Sequence, residues 1–327
     1  MINTNYQDKY ALITKEKNYT YQELFSKINQ YSQLFKNKSY KKVAIHSENR
    51  AEWIFAFFAA WYNKCIVVPI DFLSSTDDIS YILNDCNPEI VFFSTETGKK
   101  IEKIKDQLNY DPHFEFFEEV KLEEKSNEFK WNVPSVEEDV AVIIYTSGTT
   151  GSPKGVMLSY KNLLANIHAV SKDVEIYTHD KQVLMLLPLH HIFPLAGCLM
   201  GPLNVGGTIV MTPSMQSSDI LETLKNNKVN MIIGVPRFYD LLYKGLKAKI
   251  FAKTIGRIFY SVVKGIRSKK FAKKIFKKVH DGFGGHVEYL ISGGAPLNKE
   301  VAYFFKNLGF DVLEGETPNK TWLMFVG

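Results

Sequence analysis

The residues best suited to chemistry lie in one stretch that is rich in glycines and hydroxyl groups and contains a lysine. The stretch consists of Thr146, Ser147, Gly148, Thr149, Thr150, Gly151, Ser152, Pro153, Lys154 and Gly155. Glycines let a backbone turn sharply and approach a ligand, whereas hydroxyls, free N–H groups and a lysine suit an anionic phosphate. The composition of this stretch therefore predicts a phosphate-binding loop.

Two other glycine-rich loops do not fit this stretch. A Walker A loop places its lysine directly after a glycine, whereas Lys154 follows Pro153. A dinucleotide-binding turn needs a glycine two residues before another one, which neither Gly148 nor Gly151 has. A surface turn rich in Ser, Thr and Gly is the alternative. The apolar run before the loop and the helix pattern after Ser159 favour the phosphate-binding hypothesis.

A second group of candidates consists of the adjacent histidines His190 and His191, which follow an apolar run that predicts a strand. Adjacent histidines point in different directions, and no Cys/His cluster completes a zinc site, so shared metal ligation is not expected. Sheets of α/β proteins bind ligands at the carboxyl ends of their strands, where these histidines would lie. A purely structural histidine is the alternative.

Two further segments follow predicted strands. Gly293 to Leu297 is a glycine turn with a proline, which would allow a flat ligand to approach the backbone closely. Gly234 to Tyr239 can be explained without any ligand, as a strand end followed by a helix with Pro236 in its first turn.

Strand and helix patterns alternate around these segments. Capping boxes at Thr20–Glu23 and Ser75–Asp78 predict helix starts, and the apolar run Ala51–Tyr62 predicts a buried helix. Short apolar runs predict strands at Val43–Ile45, Ile66–Ile70, Ile90–Ser94, Val140–Tyr145, Val183–Leu187, Thr208–Met211 and Met231–Val235. The alternation predicts an α/β fold with two mostly parallel sheets flanked by helices. We expect a first subdomain over residues 1–180 and a second over 181–327.

The composition is that of a soluble globular protein of 327 residues, with 45% hydrophobic and 23% charged residues. Its three cysteines are scattered and lack metal-binding spacing, which favours a reduced, cytoplasmic setting. The N-terminus has no apolar signal-peptide core, and the longest apolar runs are too short to span a bilayer.

Residues 244–278 carry thirteen Lys/Arg and no Asp or Glu, interleaved with apolar residues. Basic amphipathic helices of this kind suit an anionic membrane surface, so peripheral contact with the inner membrane face through an insertion at 244–280 is one expectation. The alternative is a solvated basic face whose apolar side packs on the domain. Nucleic acid is not expected as a partner, because no nucleic-acid module accompanies the charge.

The sequence YTSGTTGSPKG, from Tyr145 to Gly155, resembles the signature loop of the AMP-forming acyl-adenylating enzymes. The resemblance runs from about Tyr19 to Gly315, and VPRFY, ISGGAPL and the basic insertion make it strongest for the long-chain fatty acid–CoA ligases. It implies the large N-terminal domain of such an enzyme. It also implies the activation of a fatty acid by ATP to acyl-AMP and then acyl-CoA, with ATP, Mg²⁺ and CoA taking part.

The resemblance implies nucleotide contacts at two places. Lys154 would act in catalysis, and the loop that closes over the phosphates of ATP would consist of Thr146, Ser147, Gly148, Thr149, Thr150, Gly151, Lys154 and Gly155. The turn that borders the adenine would consist of Gly293, Gly294, Ala295 and Pro296.

The resemblance also implies contacts with the acyl substrate. Only His191 matches the functional position of the histidine motif, where it would lie by the acyl carboxylate and act in catalysis; His190 occupies a variable position. Val235 and Pro236 would line the acyl pocket.

The resemblance breaks after Gly315. The family continues with an aromatic–Gly–x–Thr–Glu motif that reaches adenine and magnesium, whereas this chain reads Glu316, Thr317, Pro318 and stops at Gly327. No magnesium ligand is assigned. The ribose-binding aspartate and the C-terminal domain with its catalytic lysine have no counterpart, so we expect a truncated chain with little complete ligase activity. An inactive remnant that only binds ATP or an acyl chain, and one half of an enzyme whose C-terminal half is separately encoded, are the alternatives.

Overall fold

The computed structural model describes residues 2–36, 38–122, 138–146, 152–169, 171 and 176–314. The strands of this part are β1 (Tyr10–Ile13), β2 (Asn18–Thr20), β3 (Lys42–His46), β4 (Ile66–Ile70), β5 (Ile90–Phe93), β6 (His113–Phe116), β7 (Val140–Thr146), β8 (Lys154–Ser159), β9 (Gln182–Met185), β10 (Thr208–Met211), β11 (Met231–Gly234), β12 (Tyr289–Ser292) and β13 (Asp311–Glu314).

The helices of the described part separate most of these strands. They are α1 (Tyr21–Ser32), α2 (Ala51–Tyr62), α3 (Thr76–Cys86), α4 (Thr95–Ile104), α5 (Tyr160–His168), α6 (Ile192–Pro194), α7 (Gly201–Val205), α8 (Ser217–Asn226), α9 (Pro236–Phe251), α10 (Thr254–Ile266), α11 (Lys269–Ile275), α12 (Lys277–Gly282) and α13 (Lys299–Leu308). A π-helical turn, Leu195–Met200, joins α6 to α7.

The strands form two mostly parallel sheets, as the sequence predicts. One sheet has the order β6-β5-β3-β4-β7-β8 and is parallel except for the β7–β8 hairpin. The other has the order β13-β12-β11-β9-β10-β1-β2 and is parallel except for the β1–β2 hairpin. The N-terminal hairpin thus joins the sheet built from the second half of the chain, so sheet membership does not follow the division at residue 180, which stays a prediction.

Side chains alternate between the two faces of each sheet, and both faces are buried. Val43 and Val183 point into a core between the sheets that also contains α1 and α2. Ala44 points to a second core under α3 and α4. Leu184 points to a third core under α8 to α13. The sheets are therefore enclosed by three helical layers. None of the helices in the described ranges combines the length and the hydropathy that a bilayer crossing requires.

Candidate functional site

The predicted phosphate loop joins two antiparallel strands. Thr146, the last residue of β7, pairs with Lys154, the first residue of β8, and both residues are exposed. The helix predicted after Ser159 is confirmed, because α5 begins at Tyr160 with Ser159 as its N-cap. The strand β8, which the sequence does not predict, lies between the loop and this helix. The predicted residues Ser147, Gly148, Thr149, Thr150 and Gly151 lie outside the described part of the chain.

Close packing fixes the base of this hairpin. A Cβ atom on Gly155 would lie 2.9 Å from Cγ2 of Ile143 and 3.1 Å from Cζ of Tyr145, so the strand pair leaves little room for a side chain there. The hydroxyl of Tyr145 donates to Oδ2 of Asp85 on α3 at 2.5 Å. Burial and this hydrogen bond hold the pKa of Tyr145 well above its usual range. The hairpin therefore projects from a closely packed base.

The histidine loop (residues 186–193, which include the start of α6) follows β9 and is held by a residue that follows β3 of the other sheet. Asn49, between β3 and α2, donates from Nδ2 to the carbonyl of Leu187 at 2.8 Å. Its Oδ1 accepts from the amide of Leu189 at 3.0 Å. The N–H and the C=O of this one side-chain amide thus tie the loop to the neighbouring sheet, a contact that the sequence does not predict.

The two histidines differ in exposure but contact each other. His190 is 8% exposed whereas His191 is exposed, and their Nε2 atoms lie 3.0 Å apart. Burial and the neighbouring His191 lower the pKa of His190 to about 4, and partial burial lowers the pKa of His191. The carboxylate of Asp71, 3.6 Å from Nε2 of His190, opposes both shifts. The pair is therefore neutral at physiological pH.

Asp71 also connects the histidines with the phosphate hairpin. It follows β4, which runs parallel to β7 with Val67 opposite Val142. Asp71 thus leaves the sheet at the same edge at which Thr146 ends β7. The hairpin and the histidine loop therefore emerge at neighbouring strand ends, the edge where α/β sheets bind ligands.

The predicted adenine-side turn packs on the histidine loop. Gly293 directly follows β12, and a Cβ atom there would lie 2.5 Å from the ring of Phe193. Its amide donates to the carbonyl of Gly234 at 3.2 Å. Gly294 has φ +79°, a left-handed conformation that favours glycine. Gly294 is exposed, as are Ala295 and Pro296, so the turn presents backbone to solvent.

The predicted acyl-side residues lie beside this turn. Val235 is 36% exposed and follows β11, and Pro236 is the first residue of α9. The Cγ1 atom of Val235 lies 3.9 Å from the position of a Cβ on Gly294. The hydroxyl of Tyr239 lies 2.8 Å from the carbonyl of Ile232 and 2.9 Å from that of Ile291, which ties β11 to β12. The structure therefore brings Val235, Gly293 and the histidine loop together.

The described residues contain no cluster of side chains that would mark a metal site. Among them no group of three or more His, Cys, Asp or Glu side chains is arranged to hold a metal ion. Glu316 lies outside the described part of the chain.

Neither Asn49 nor Asp71 is predicted from the sequence as a site residue. Each follows the carboxyl end of a predicted strand, and that position could have marked both as neighbours of a ligand site. Their actual partners, the histidine loop and His190, belong to a segment more than a hundred residues away. The contact between two sheets could not be read from either segment alone.

The fold is that of the N-terminal domain of adenylate-forming enzymes. The sequence model of the family described as "AMP-binding enzyme" matches residues 2–315. The chain belongs to this family.

One curated relative is "Long chain acyl-CoA synthetase 6, peroxisomal" of Arabidopsis thaliana. It is 27% identical over 319 residues, which cover 87% of this chain and 45% of the relative. The chain spans about half the length of the curated relatives that it matches.

Solved structures share the fold. The N-terminal domain of FACL13 from Mycobacterium tuberculosis, in an inhibitor-bound crystal structure, superposes with a TM-score of 0.74 at 18% identity, covering 96% of this chain and 73% of that one. ATP-bound MatB from Rhodopseudomonas palustris superposes with a TM-score of 0.72 at 21% identity, covering 95% of this chain and 57% of that one.

Proposed function

We propose that the chain provides the nucleotide and acyl sites of a fatty acid–CoA ligase. A carboxylate oxygen of the fatty acid attacks the α-phosphorus of ATP, and the bond to the pyrophosphate leaving group breaks. The acyl-AMP then transfers its acyl group to the thiol of CoA, releasing AMP. The observation that carries the proposal is that the phosphate hairpin, the histidines and the glycine turn emerge at neighbouring strand ends. Asn49 binds the histidine loop, Asp71 contacts His190, and Gly293 packs against Phe193.

Lys154 is proposed to neutralise phosphate charge together with the residues from Thr146 to Gly151. Its side chain is exposed at the base of the hairpin, and in the described ranges no carboxylate lies within ion-pair distance of it. An unpaired cation beside a glycine-rich loop suits an anionic ligand. Developing charge on the phosphates would be stabilised in the same way.

His191 is proposed to orient the acyl carboxylate. The exposed, neutral ring of His191 can donate a hydrogen bond to a carboxylate oxygen. The buried His190 contacts Nε2 of the same ring. A fixed donor places the nucleophilic oxygen without withdrawing as much electron density as a cation would.

The glycine turn and the start of α9 are proposed to receive the two ends of the acyl-adenylate. Gly293, Gly294, Ala295 and Pro296 present backbone and small side chains to a flat adenine. Val235 and Pro236 offer an apolar surface beside them for the acyl chain. A long-chain fatty acid is proposed as substrate, supported by the name of the Arabidopsis relative and by the VPRFY segment.

ATP and CoA are proposed as co-substrates, and ATP-bound MatB supports the first of these. Mg²⁺ is proposed only as a companion of ATP, and no step is assigned to it. A cytoplasmic location and a separately encoded C-terminal half also stay proposals.

The alternative is that this chain binds ATP and an acyl chain but does not complete the reaction alone. The share of the relative's length favours this alternative, since the chain spans 45% of the Arabidopsis relative. Pyrophosphate exchange with palmitate distinguishes the two: an exchange rate close to that of a full-length relative supports the complete reaction, whereas binding without exchange supports the alternative.

The proposed site is tested by titrating the chain with ATP in a calorimeter. Lys154→Ala should weaken ATP binding at least ~10-fold, since a charge-assisted phosphate contact is lost. Lys225→Ala, which removes an exposed lysine on α8, is the matched control and should bind like wild type. Absence of ATP binding by the wild-type chain, or equal binding by both variants, would refute the proposed site.

A further inference from the structure

Helix α10 exposes an apolar stripe in the most basic part of the chain. The stripe consists of Ile255, Ile258, Phe259, Val262 and Ile266, which are between 38% and 57% exposed. Their spacing places them on one side of the helix, over a length of about 16 Å. Below, "the α10 stripe" denotes these five side chains.

The opposite contacts of α10 hold the stripe outward. Val263 is 2% exposed and belongs to the core under α8 to α13. The ring of Tyr260 stacks on Phe304, and its hydroxyl accepts a hydrogen bond from Nδ2 of Asn307 at 3.1 Å. The helix therefore has two apolar sides, of which only one is used in the fold.

This finding separates the two sequence interpretations of the insertion. Phe271, Ile275 and Phe276 pack against the core, as the structural alternative predicts. The α10 stripe does not, and large apolar side chains that are exposed together are typical of a binding surface.

The charges within residues 244–278 all have one sign, although Lys247 pairs with Glu300 and Lys269 with Asp311, both outside this segment. Residues 244–278 hold thirteen cations and no carboxylate, whereas the whole chain has a net charge of +5, so the remainder of the chain is net acidic. Five of these cations are exposed and, within the described ranges, have no carboxylate within ion-pair distance. They are Lys253, Arg257, Lys264, Arg267 and Lys270.

These charges decide between occupants of the α10 stripe. A second copy of this chain docked stripe to stripe would bring two sets of cations together, and like charges repel. Nucleic acid would use the cations but not a mainly aliphatic stripe. An anionic lipid surface uses both, because apolar side chains enter the acyl boundary while lysines and arginines attract the headgroups.

We propose that α10 docks on anionic phospholipid membranes, with the α10 stripe inserted and the basic residues at both ends of the helix against the headgroups. Lys253 precedes the helix, and Arg267 and Lys270 follow it. Arg257 and Lys264 each stand two residues after a stripe residue and so lie on another side of the helix. This lipid binding does not depend on the proposed ligase chemistry, and either can fail without the other.

The test is co-sedimentation of the full chain with vesicles of phosphatidylcholine containing phosphatidylglycerol, and of phosphatidylcholine alone. The wild-type chain should bind the anionic vesicles and lose binding as salt rises to on the order of 0.5 M, because salt screens exposed charges. Equal binding to both vesicle types, or binding to neither at low salt, would overturn the proposal.

Variants then separate the two contributions. Ile258→Asp should bind anionic vesicles ~10-fold more weakly or worse, since one inserted side chain is lost and a repelling charge is gained. Met215→Asp is the matched control, because Met215 is also 55% exposed but lies outside the basic segment. Circular dichroism should show both variants folded. Equal binding by Ile258→Asp and wild type would overturn the role of the stripe.

The position of the charges gives a second comparison. Joint Gln substitution of Lys253, Arg267 and Lys270 should weaken binding to anionic vesicles more than joint substitution of Arg257 and Lys264. Two outcomes would favour another occupant and overturn the proposal. One is a wild-type dimer in lipid-free buffer that Ile258→Asp dissociates. The other is binding to duplex DNA that matches vesicle binding and survives Ile258→Asp.

Discussion

His46, at the carboxyl end of β3, is a fully buried imidazole in the neighbourhood of the candidate site. Its exposed fraction is 0%, and among the described residues neither ring nitrogen has a hydrogen-bond partner. Burial, and secondarily the charge of Lys100, lower its pKa to about 4. The folded protein therefore keeps this ring neutral at a pH where an unfolded chain would protonate it.

The first prediction concerns stability in acid. In the unfolded chain His46 becomes protonated below pH ~6.5, whereas in the folded chain it becomes protonated only near its lowered pKa of about 4. Acid therefore favours the unfolded state. The free energy of unfolding should therefore fall as the pH decreases from about 6.5 to about 4, by roughly 2–3 kcal/mol for this group. His190, with a pKa of about 4, should add to the same trend.

Urea denaturation at a series of pH values checks this prediction. His46→Leu should flatten the dependence, because no buried group remains there to be protonated. His286→Leu removes an exposed histidine and should leave the profile unchanged. An unaltered acid slope in His46→Leu would contradict the assignment.

A second residue-scale prediction concerns Asn49. Its side chain makes two hydrogen bonds to the histidine loop, and Asn49→Ala leaves the carbonyl of Leu187 and the amide of Leu189 without those partners. We expect a loss of about 1–3 kcal/mol of stability, and weaker ATP binding because the histidine loop is no longer fixed. Thermal unfolding and calorimetric titration measure the two effects.

Asn63→Ala is the control for Asn49, since the Asn63 side chain makes one local hydrogen bond, to the carbonyl of Ala59 within α2. It should lower stability somewhat but leave ATP binding intact. An Asn49→Ala variant that lost only stability would show that the loop keeps its position without this contact.

At the scale of elements, the contact between the β12 turn and the histidine loop depends on the missing side chain of Gly293. Gly293→Ala would place a methyl group 2.5 Å from the ring of Phe193, so the ring and with it the start of α6 must move. We expect an overpacking penalty of about 1–3 kcal/mol and impaired ATP binding. Phe193→Leu in the same chain should restore part of both losses, which a double-mutant cycle measures.

Gly245→Ala provides the opposite case for comparison. A Cβ atom at Gly245, in the middle of α9, would meet nothing within 4 Å. Alanine there should stabilise the protein by about 0.5–1 kcal/mol, through helix propensity alone. If both glycine variants behaved alike, the Phe193 contact would not be what constrains Gly293.

The elements also show which features a sequence can specify. The helix starts after Thr20, Ser75 and Ser159 lie where their capping residues predict, because a cap is a contact among residues three apart. The strand β8 was missed, since its apolar run, Val156 to Leu158, is too short to show a period, and its formation depends on pairing with β7.

At the scale of the molecule, one core joins the two sheets. Residues of β3 and β4 and residues of β9 and β10 belong to the same buried cluster, with α1 and α2 between them. The strand pattern predicts two sheets, and this is confirmed, but it carries no information on how they face each other. The pairing of β1 with β10 spans nearly two hundred residues and was equally invisible.

The shared core predicts that the two sheets unfold together. Cys65 is buried next to β4, and Cys198 is buried in the π-helical turn after β9; both side chains belong to the core between the sheets. Burial raises the pKa of Cys65 to about 12 and that of Cys198 above its usual range, so neither thiol reacts readily while folded. Pulse labelling with a thiol reagent across a urea series, read by mass spectrometry, should therefore give one midpoint for both.

Cys86, buried in the core under α3 and α4, reports on the outer face of the six-stranded sheet and should share that midpoint. Separate midpoints for Cys65 and Cys198 would show instead that each sheet is its own folding unit, and that the core between them forms by docking of two structures that are already folded.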